Sequence, residues 1–265
     1  MLAIEQSHFR ARRVVIKADH FMKTKSLHRF FNRADHFQAD IEIADIFALA
    51  VSKGALKSAE SLFEHCDSEK HPTIAKRTVS EHNRMMASRH LSKTLCSAYI
   101  KDLYEDFSRY LAEIIESSAR KGLSADRIIG DHKFAIDANE LLKLGSWDAV
   151  IAYVSATLFR KIENEKSTIK LISAIDTKLD LKLDAAIRDA ALPFLDLRHL
   201  LVHRDGVPDN EYCDKYQALG FTVGRQVSLN FKLVHGAKTA IHTLARHMDE
   251  KVVSLKLVSV NELQP

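Results

Sequence analysis

The stretch LSKTLCSAYIKDLYEDFSRYLAEII, residues 91–115, decides the fold class. Its apolar residues recur every three or four positions, which is the spacing of one face of an α-helix. Lys121-Gly122 is expected to end this helix, because glycine readily takes the left-handed conformation that follows many helices. We predict one long helix of about 35 residues or more. Its stripe consists of Leu91, Leu95, Ala98, Tyr99, Leu103, Phe107, Tyr110, Leu111, Ile114 and Ile115.

The rest of the chain also favours helices. Eight glycines and four prolines in 265 residues leave few positions that break helical periodicity. Further helices are predicted within residues 45–66, from Trp147 to Lys161, after Ser167, and within residues 233–257. Together with the long helix, they predict an all-α fold, an antiparallel helical bundle.

Residues 196–212, DLRHLLVHRDGVPDNEY, place an arginine and two histidines among aliphatic residues. Pro193 suits the first turn of a helix and Gly206 suits its end, so this motif helix is predicted to be short. His199 and His203 share one face, whereas Arg198 lies about 140° around the helix from His203. The long stem of Arg198 can nevertheless swing toward the same end of the helix.

A different periodicity follows the motif helix. In residues 226–231, Val227, Leu229 and Phe231 alternate with polar residues, and Gly220 and Gly224 stand just before them. A period of two is typical of a β-strand. The sequence therefore predicts a small β-hairpin after the motif helix.

An arginine and a histidine at one helix end suit the cleavage of RNA. The guanidinium can neutralise the scissile phosphate, while an imidazole moves protons to or from ribose oxygens near neutral pH. Because the 2′-hydroxyl can act as the nucleophile, this chemistry requires no metal and no other cofactor. In this interpretation His203 is the general base or acid, Arg198 binds the phosphate, and His199 or Arg204 positions them.

The same residues resemble the R-x4-H signature of HEPN-domain proteins. Arg198 and His203 match its arginine and histidine, and His199 stands where the family usually has a polar residue. Arg204-Asp-Gly, the acid Asp209 and Tyr212 continue the resemblance, which covers about residues 80–257. It implies a helical-bundle, metal-independent endoribonuclease whose active site forms where two motif helices meet in a homodimer.

The resemblance also implies a role for this chain and its residues. RNA is the expected substrate and is cut by 2′-hydroxyl transesterification, in a toxin or anti-phage defence effector. An antitoxin or regulatory protein is an expected partner. The implied catalytic residues are Arg198, His203 and His199, and the implied substrate-binding residues are Arg204 and Tyr212.

Three alternatives stay open beside the nuclease. The chain could be a non-catalytic HEPN-like module that binds a partner protein or a nucleotide. It could be a metal-dependent hydrolase that uses His199 and His203 as ligands, although Leu200 stands where His-Glu-x-x-His requires glutamate. The motif could also be purely structural, with Arg198 in a surface salt bridge and both histidines bonded to backbone carbonyls.

The amino-terminal part of the chain is basic. Residues 1–40 hold eight Lys and Arg against four Asp and Glu, together with five phenylalanines. Basic segments interleaved with aromatic residues can bind nucleic acid, but we favour an amphipathic arm whose phenylalanines pack on the main domain. We therefore divide the chain into a basic helical extension, residues 1–75, and a HEPN-like bundle, residues 76–265.

The cysteines and the apolar stretches indicate the compartment. Cys66, Cys96 and Cys213 are odd in number and lack Cys-x-x-Cys spacing, so neither a disulfide framework nor a zinc ribbon is indicated. The sequence also lacks an apolar run of signal-peptide or membrane-spanning length. We expect a cytoplasmic protein without a membrane partner.

Overall fold

The computed structural model describes residues 22–54, 66–77, 80–130, 135–163 and 167–264, and there the chain is a bundle of helices. The all-α fold is confirmed. Two short strands, β1 (Lys23–Thr24) and β2 (Leu263–Gln264), pair in antiparallel fashion near the ends of the described chain. The helices are α1 (Lys25–Ser52), α2 (Pro72–Arg77), α3 (Glu81–Arg120), α4 (Ala125–Ile129), α5 (Ala138–Lys143), α6 (Trp147–Glu163), α7 (Thr168–Leu179), α8 (Ala185–His203), α9 (Asn210–Lys215) and α10 (Phe231–Ser254), with 3-10 turns at Gln217–Leu219 and Val260–Glu262.

Helix α3 is the long helix predicted from residues 91–115, and it is the central element of the bundle. It has 40 residues, which gives a length of about 60 Å. The hydroxyl of Ser80 caps its first turn by accepting from the Asn83 amide at 3.2 Å. It ends where predicted, because Gly122 adopts a φ of 100° just beyond it. Helices α1, α6, α8 and α10 all pack against α3.

The core forms where the apolar stripe of α3 meets its neighbours. Tyr99, Phe107 and Tyr110 are almost fully buried. Phe30 of α1 is 0% exposed, and its ring lies 6.1 Å from that of Phe107. Phe31, also on α1, packs against the same core. These contacts support the packing interpretation for the part of the amino-terminal segment that α1 contains, whereas residues 1–21 lie outside the described ranges.

Two predictions concern the end of a helix and the boundary between two domains. The predicted helix within residues 45–66 is described only as far as the end of α1 at Ser52, and residues 55–65 lie outside the described ranges. The predicted domain boundary after residue 75 falls within α2. Among the described residues, no helix combines the length and apolar character needed to cross a membrane.

The hairpin predicted after the motif helix is wrong, because residues 221–230 form a loop. The Val227 amide donates to the Gly206 carbonyl at 2.9 Å, and the Gln226 side chain donates to the Asp205 carbonyl at 2.6 Å. Val227 is buried beneath them, and Asn230 caps α10. The alternating apolar and polar residues therefore belong to a loop and not to a strand. This loop crosses the end of α8 and donates its hydrogen bonds to Asp205 and Gly206.

The predicted start of the motif helix is also wrong. Helix α8 begins at Ala185, and Pro193 lies in its interior rather than in its first turn. Asp184 caps the helix through the Ala186 amide at 2.7 Å. A proline within a helix removes one backbone hydrogen bond and is destabilising by about 3 kcal/mol. Packing offsets this cost, because Leu192 and Leu195 on either side of the proline are buried.

Candidate functional site

The carboxyl end of α8 is held in a fixed conformation. The amides of Arg204 and Gly206 both donate to the Leu200 carbonyl, at 3.0 and 2.9 Å. Asp205 and Gly206 adopt φ angles of 50° and 73°, which end the helix. A Cβ atom at Gly206 would lie 3.3 Å from a methyl group of Leu201, so the turn also packs closely. The last turn of α8 therefore presents its side chains from a well-defined backbone.

His199 and His203 lie side by side on this last turn. Both are exposed, and their ring centroids are 4.8 Å apart with a tilt of 48°. Among the described residues, neither imidazole has a hydrogen-bond partner. The backbone-carbonyl partners of the structural alternative are not found in that part of the chain. The ring nitrogens therefore face solvent, where a substrate could reach them.

Arg198 lies on a different face and contacts α3. Its Nη2 atom is 2.9 Å from Oε1 of Glu105, and its guanidinium lies over the Tyr104 ring at 5.1 Å from the centroid. Its Nε atom is buried, without a hydrogen-bond partner in the described structure. One chain therefore does not bring Arg198 and His203 together, and the guanidinium forms the salt bridge that the structural alternative expects.

Arg198 points into an acidic corner between α3, α6 and α8. Burial raises the pKa of the Glu163 carboxyl, and the nearby charge of Glu105 raises it further, while the Ser108 hydroxyl and Arg198 oppose the rise. Burial likewise raises the pKa of the Tyr104 hydroxyl. The two carboxylates and the aromatic face attract the guanidinium. In this conformation they compete with any phosphate for Arg198.

The two residues predicted to bind substrate are both engaged within the chain. Arg204 forms an ion pair with Asp209, and Asp209 accepts from the Tyr212 amide at 2.9 Å. That backbone hydrogen bond, aided by Arg204, lowers the pKa of the Asp209 carboxyl. Tyr212 is 7% exposed, and its hydroxyl donates to the Pro193 carbonyl at 2.7 Å. Tyr212 therefore packs behind α8 with its hydroxyl already engaged, and substrate binding by this residue stays a prediction.

Sequence reasoning missed three residues that position the site. The Asp196 carboxylate accepts hydrogen bonds from the Tyr216 hydroxyl and from the Lys215 ammonium, the latter at 2.9 Å. These two bonds connect α9 to α8. Glu105 and Tyr104 hold Arg198 from a helix far away in the sequence. No local pattern could pair residues so distant along the chain. The one sequence signal that could have indicated them is the adjacent aromatic and acidic pair, Tyr104 and Glu105, since both residue types attract a guanidinium.

One alternative role for His199 and His203 is metal ligation. Within the described ranges, no group of three or more His, Cys, Asp or Glu side chains is arranged to hold a metal ion. Cys66, Cys96 and Cys213 are free thiols.

Comparisons with known proteins give no relative from which a function could be transferred. No family model, no curated protein and no solved structure matches the chain at a significant level.

Proposed function

We propose that this protein is a metal-independent endoribonuclease of the HEPN type, acting as a homodimer. The observation that carries the proposal is the pair of exposed imidazoles of His199 and His203, 4.8 Å apart at the end of α8. Histidine is the side chain best suited to exchange protons near neutral pH. Two adjacent, unpaired imidazoles can serve as the base and the acid of one reaction.

The reaction follows from the chemistry of RNA. His203 removes the proton of the ribose 2′-hydroxyl, and the 2′-oxygen attacks the adjacent phosphorus. The bond from phosphorus to the 5′-oxygen breaks, and His199 donates a proton to that leaving oxygen. The products are a 2′,3′-cyclic phosphate and a free 5′-hydroxyl. Because one imidazole must be neutral and the other charged, the rate should have a bell-shaped dependence on pH.

The negative charge that develops on the phosphate requires a cation, which we assign to Arg198 of a second copy. Within one chain Arg198 is directed at Glu105, away from His203. A two-fold axis beside α8 would bring the arginine of each copy to the histidines of the other. The ion pair with Glu105 is partly exposed, so it is worth about 1 kcal/mol or less and a phosphate can displace it.

A second candidate is a non-catalytic module that binds a partner protein or a nucleotide. One observation favours it: both guanidinium groups of the motif are already engaged, Arg198 with Glu105 and Arg204 with Asp209. In such a module these ion pairs would be permanent and structural. The two candidates differ in a single observable, the cleavage of RNA.

The test is incubation of the purified protein with single-stranded RNA in excess EDTA. We expect cleavage that leaves 2′,3′-cyclic phosphate ends and that stops when the 2′-hydroxyl at the scissile position is replaced by hydrogen. Loss of cleavage in EDTA with recovery on adding zinc or magnesium would refute the metal-independent mechanism. Binding of RNA without cleavage would favour the second candidate.

The biological setting is part of the proposal. An endoribonuclease with this chemistry would damage its own cell if it were unrestrained, so we place the protein among toxin or anti-phage defence effectors. A restraining partner, either an antitoxin or a regulatory protein, would cover the end of α8. Protection of His199 and His203 from carbethoxylation by diethyl pyrocarbonate in a co-purified complex would test this.

A further inference from the structure

A second polar feature lies beside the motif, in the groove between α3 and the loop of residues 226–229. This cavity has a volume of about 400 Å³. Two cations of α3, Arg89 and Lys93, line one side, and Ser92 lies between them. Gln226 and Ser228 of the loop line the other side, and none of the described residues that line the groove is an acid. We call this cavity the basic groove.

The basic groove is tied directly to the end of α8. Gln226 accepts a hydrogen bond from Lys93 Nζ at 2.7 Å and donates one to the Asp205 carbonyl at 2.6 Å. Asp205 is only two residues beyond His203. A single side chain therefore links the cationic wall of the groove to the turn that carries the histidine pair.

The charges of the groove favour an anion. Arg89 and Lys93 lie one helical turn apart, so both can reach the same side of a ligand. Within the described residues, Arg89 has no acidic partner, and Lys93 is bound only by the neutral amide of Gln226. Two hydroxyls, from Ser92 and Ser228, can donate hydrogen bonds to phosphate oxygens. None of the described residues that line the groove is aromatic, so they provide no platform on which a base could stack.

We propose that the basic groove binds a phosphate of single-stranded RNA next to the phosphate that is cut. This inference rests on the proposed function, because it assigns the groove to the same substrate. The groove binds the RNA backbone irrespective of the base, since its described residues offer cations and hydroxyls but no stacking surface. Its volume is sufficient for a phosphodiester together with part of a ribose.

The test measures RNA binding rather than cleavage, in a His203→Ala background that leaves the substrate intact. Fluorescence anisotropy of a labelled single-stranded RNA gives Kd at several salt concentrations. Removing Arg89 and Lys93 together, both to alanine, should raise Kd about tenfold and flatten the salt slope by about 0.7, the value for one phosphate of a single strand. The effect should be equal for uridine-rich and adenosine-rich strands.

The control removes the same charge elsewhere. Lys121 is exposed at the far end of α3, about 40 Å from Lys93, and Lys170 is exposed on α7. Lys121→Ala with Lys170→Ala should change Kd less than twofold. A salt slope equal to that of this control, or no binding of RNA by the His203→Ala protein, would overturn the proposal.

Two substitutions at Ser228 separate the effect of negative charge on RNA binding from the effect of side-chain size. Ser228 is exposed and lines the groove, and aspartate and asparagine have nearly the same size. The Kd of Ser228→Asp should be about tenfold higher than that of Ser228→Asn, because only the carboxylate repels the phosphate. Equal Kd values for the two variants would also overturn the proposal.

The two proposals fail in different ways. Cleavage by the unmodified protein tests the nuclease, whereas the salt slope in the His203→Ala background tests the groove. A protein that binds RNA through Arg89 and Lys93 but never cuts it would refute the nuclease alone. A protein that cuts RNA with an unchanged salt slope in the groove variant would refute the groove alone.

Discussion

At the end of α8, the imidazoles of His199 and His203 face solvent while the guanidinium of Arg198 is turned back toward Glu105. The histidines can meet a substrate without rearrangement, but the arginine must first leave a carboxylate. In the proposed mechanism, Glu105 therefore limits how readily Arg198 becomes available to a phosphate. Its effect on activity can be measured separately from its small effect on stability.

Replacing Glu105 with alanine should raise kcat/KM for RNA cleavage about threefold to tenfold, because Arg198 no longer exchanges one anion for another. The free energy of unfolding should change by less than about 1 kcal/mol, since the pair is partly exposed. Glu116→Ala, which removes a comparable ion pair with Arg120 on the same helix, is the control for the added positive charge. Equal rates in the two variants would count against a role for Arg198.

His242 of α10 provides a pH-dependent term in stability. Its ring stacks on Phe31 at 4.2 Å, and its Nε2 atom is buried without a partner in the described structure. Burial lowers the pKa of His242 to about 4, with the charge of Lys238 adding to the effect and Asp35 opposing it. The unfolded chain therefore binds a proton more readily than the folded chain, and stability falls as pH drops from about 6.5 toward 4.

His242→Phe should abolish the part of the pH dependence of stability that comes from the imidazole, while it keeps a ring stacked on Phe31. Between pH 7 and about pH 5, the native protein should lose about 1 to 2 kcal/mol more unfolding free energy than the variant does. Urea unfolding at the two pH values gives the difference. Parallel loss of stability in both proteins would show that His242 already titrates normally in the folded state.

Among the elements, α10, α3 and β1 are joined by one buried carboxylate. Asp249 is 0% exposed and accepts hydrogen bonds from the Thr24 amide at 2.9 Å, the Thr24 hydroxyl at 2.6 Å and the Tyr110 hydroxyl at 3.3 Å. Burial raises the pKa of this carboxyl, and the hydrogen bonds from Thr24 and Tyr110 oppose the rise. The carboxylate thus fixes how the start of α1 joins the bundle.

Asp249→Ala should destabilise the fold by about 2 to 4 kcal/mol, because it leaves the buried amide and hydroxyl of Thr24 without an acceptor, whereas the Tyr110 hydroxyl keeps the Ala245 carbonyl at 3.3 Å. Glu250→Ala, at the neighbouring position on the same helix, should cost less than about 0.5 kcal/mol. Thermal or urea unfolding of both variants measures the contrast. A loss below about 1 kcal/mol for the Asp249 variant would mean that water replaces the carboxylate.

The elements also show how far the sequence could predict the structure. The periodicity of residues 91–115 and the glycine at position 122 predicted α3 and its end correctly, because these signals are local. Pro193 misled the prediction of α8, since its cost is offset by tertiary packing that no local pattern reveals. The alternation in residues 226–231 was mistaken for a strand because hydrogen bonds to the distant end of α8 define that loop.

The candidate site was predictable only in part, because some of its orientations depend on tertiary contacts rather than on local sequence. The four-residue spacing of His199 and His203 fixed their shared face, and the structure places the two rings together. The direction of Arg198 depends on Glu105 and Tyr104, which approach from α3. The burial of Tyr212 depends on its hydrogen bond to Pro193. Contacts between distant helices decide these orientations.

For the whole molecule, the proposed mechanism requires a second copy, because Arg198 and His203 of one chain lie apart. If each site takes its arginine from one chain and its histidine from the other, a mixed dimer of Arg198→Ala and His203→Ala chains retains one intact site. An equal mixture should then recover about a quarter of native activity, because half of the dimers have one of two sites. If both residues act within one chain, every site in the mixture is defective and no activity returns.

The basic segment of residues 1–40 is in part an element of the folded bundle. Its second half belongs to α1, whose Phe30 is in the core, so a deletion that reaches this helix would disturb folding. Any test of RNA binding by this segment must therefore stop before Lys23. The basic groove, with Arg89 and Lys93 on α3, is the separate surface that we propose for the same ligand.

The most direct test of the central claim is the initial rate of RNA cleavage in EDTA by His203→Ala, beside His199→Ala and the native protein. We expect the His203 variant to lose a factor of about 10² to 10⁴ in rate while its unfolding transition is unchanged. His82→Ala, an exposed histidine at the first turn of α3, should cleave normally. A His203→Ala protein that cuts RNA at the native rate would contradict the account.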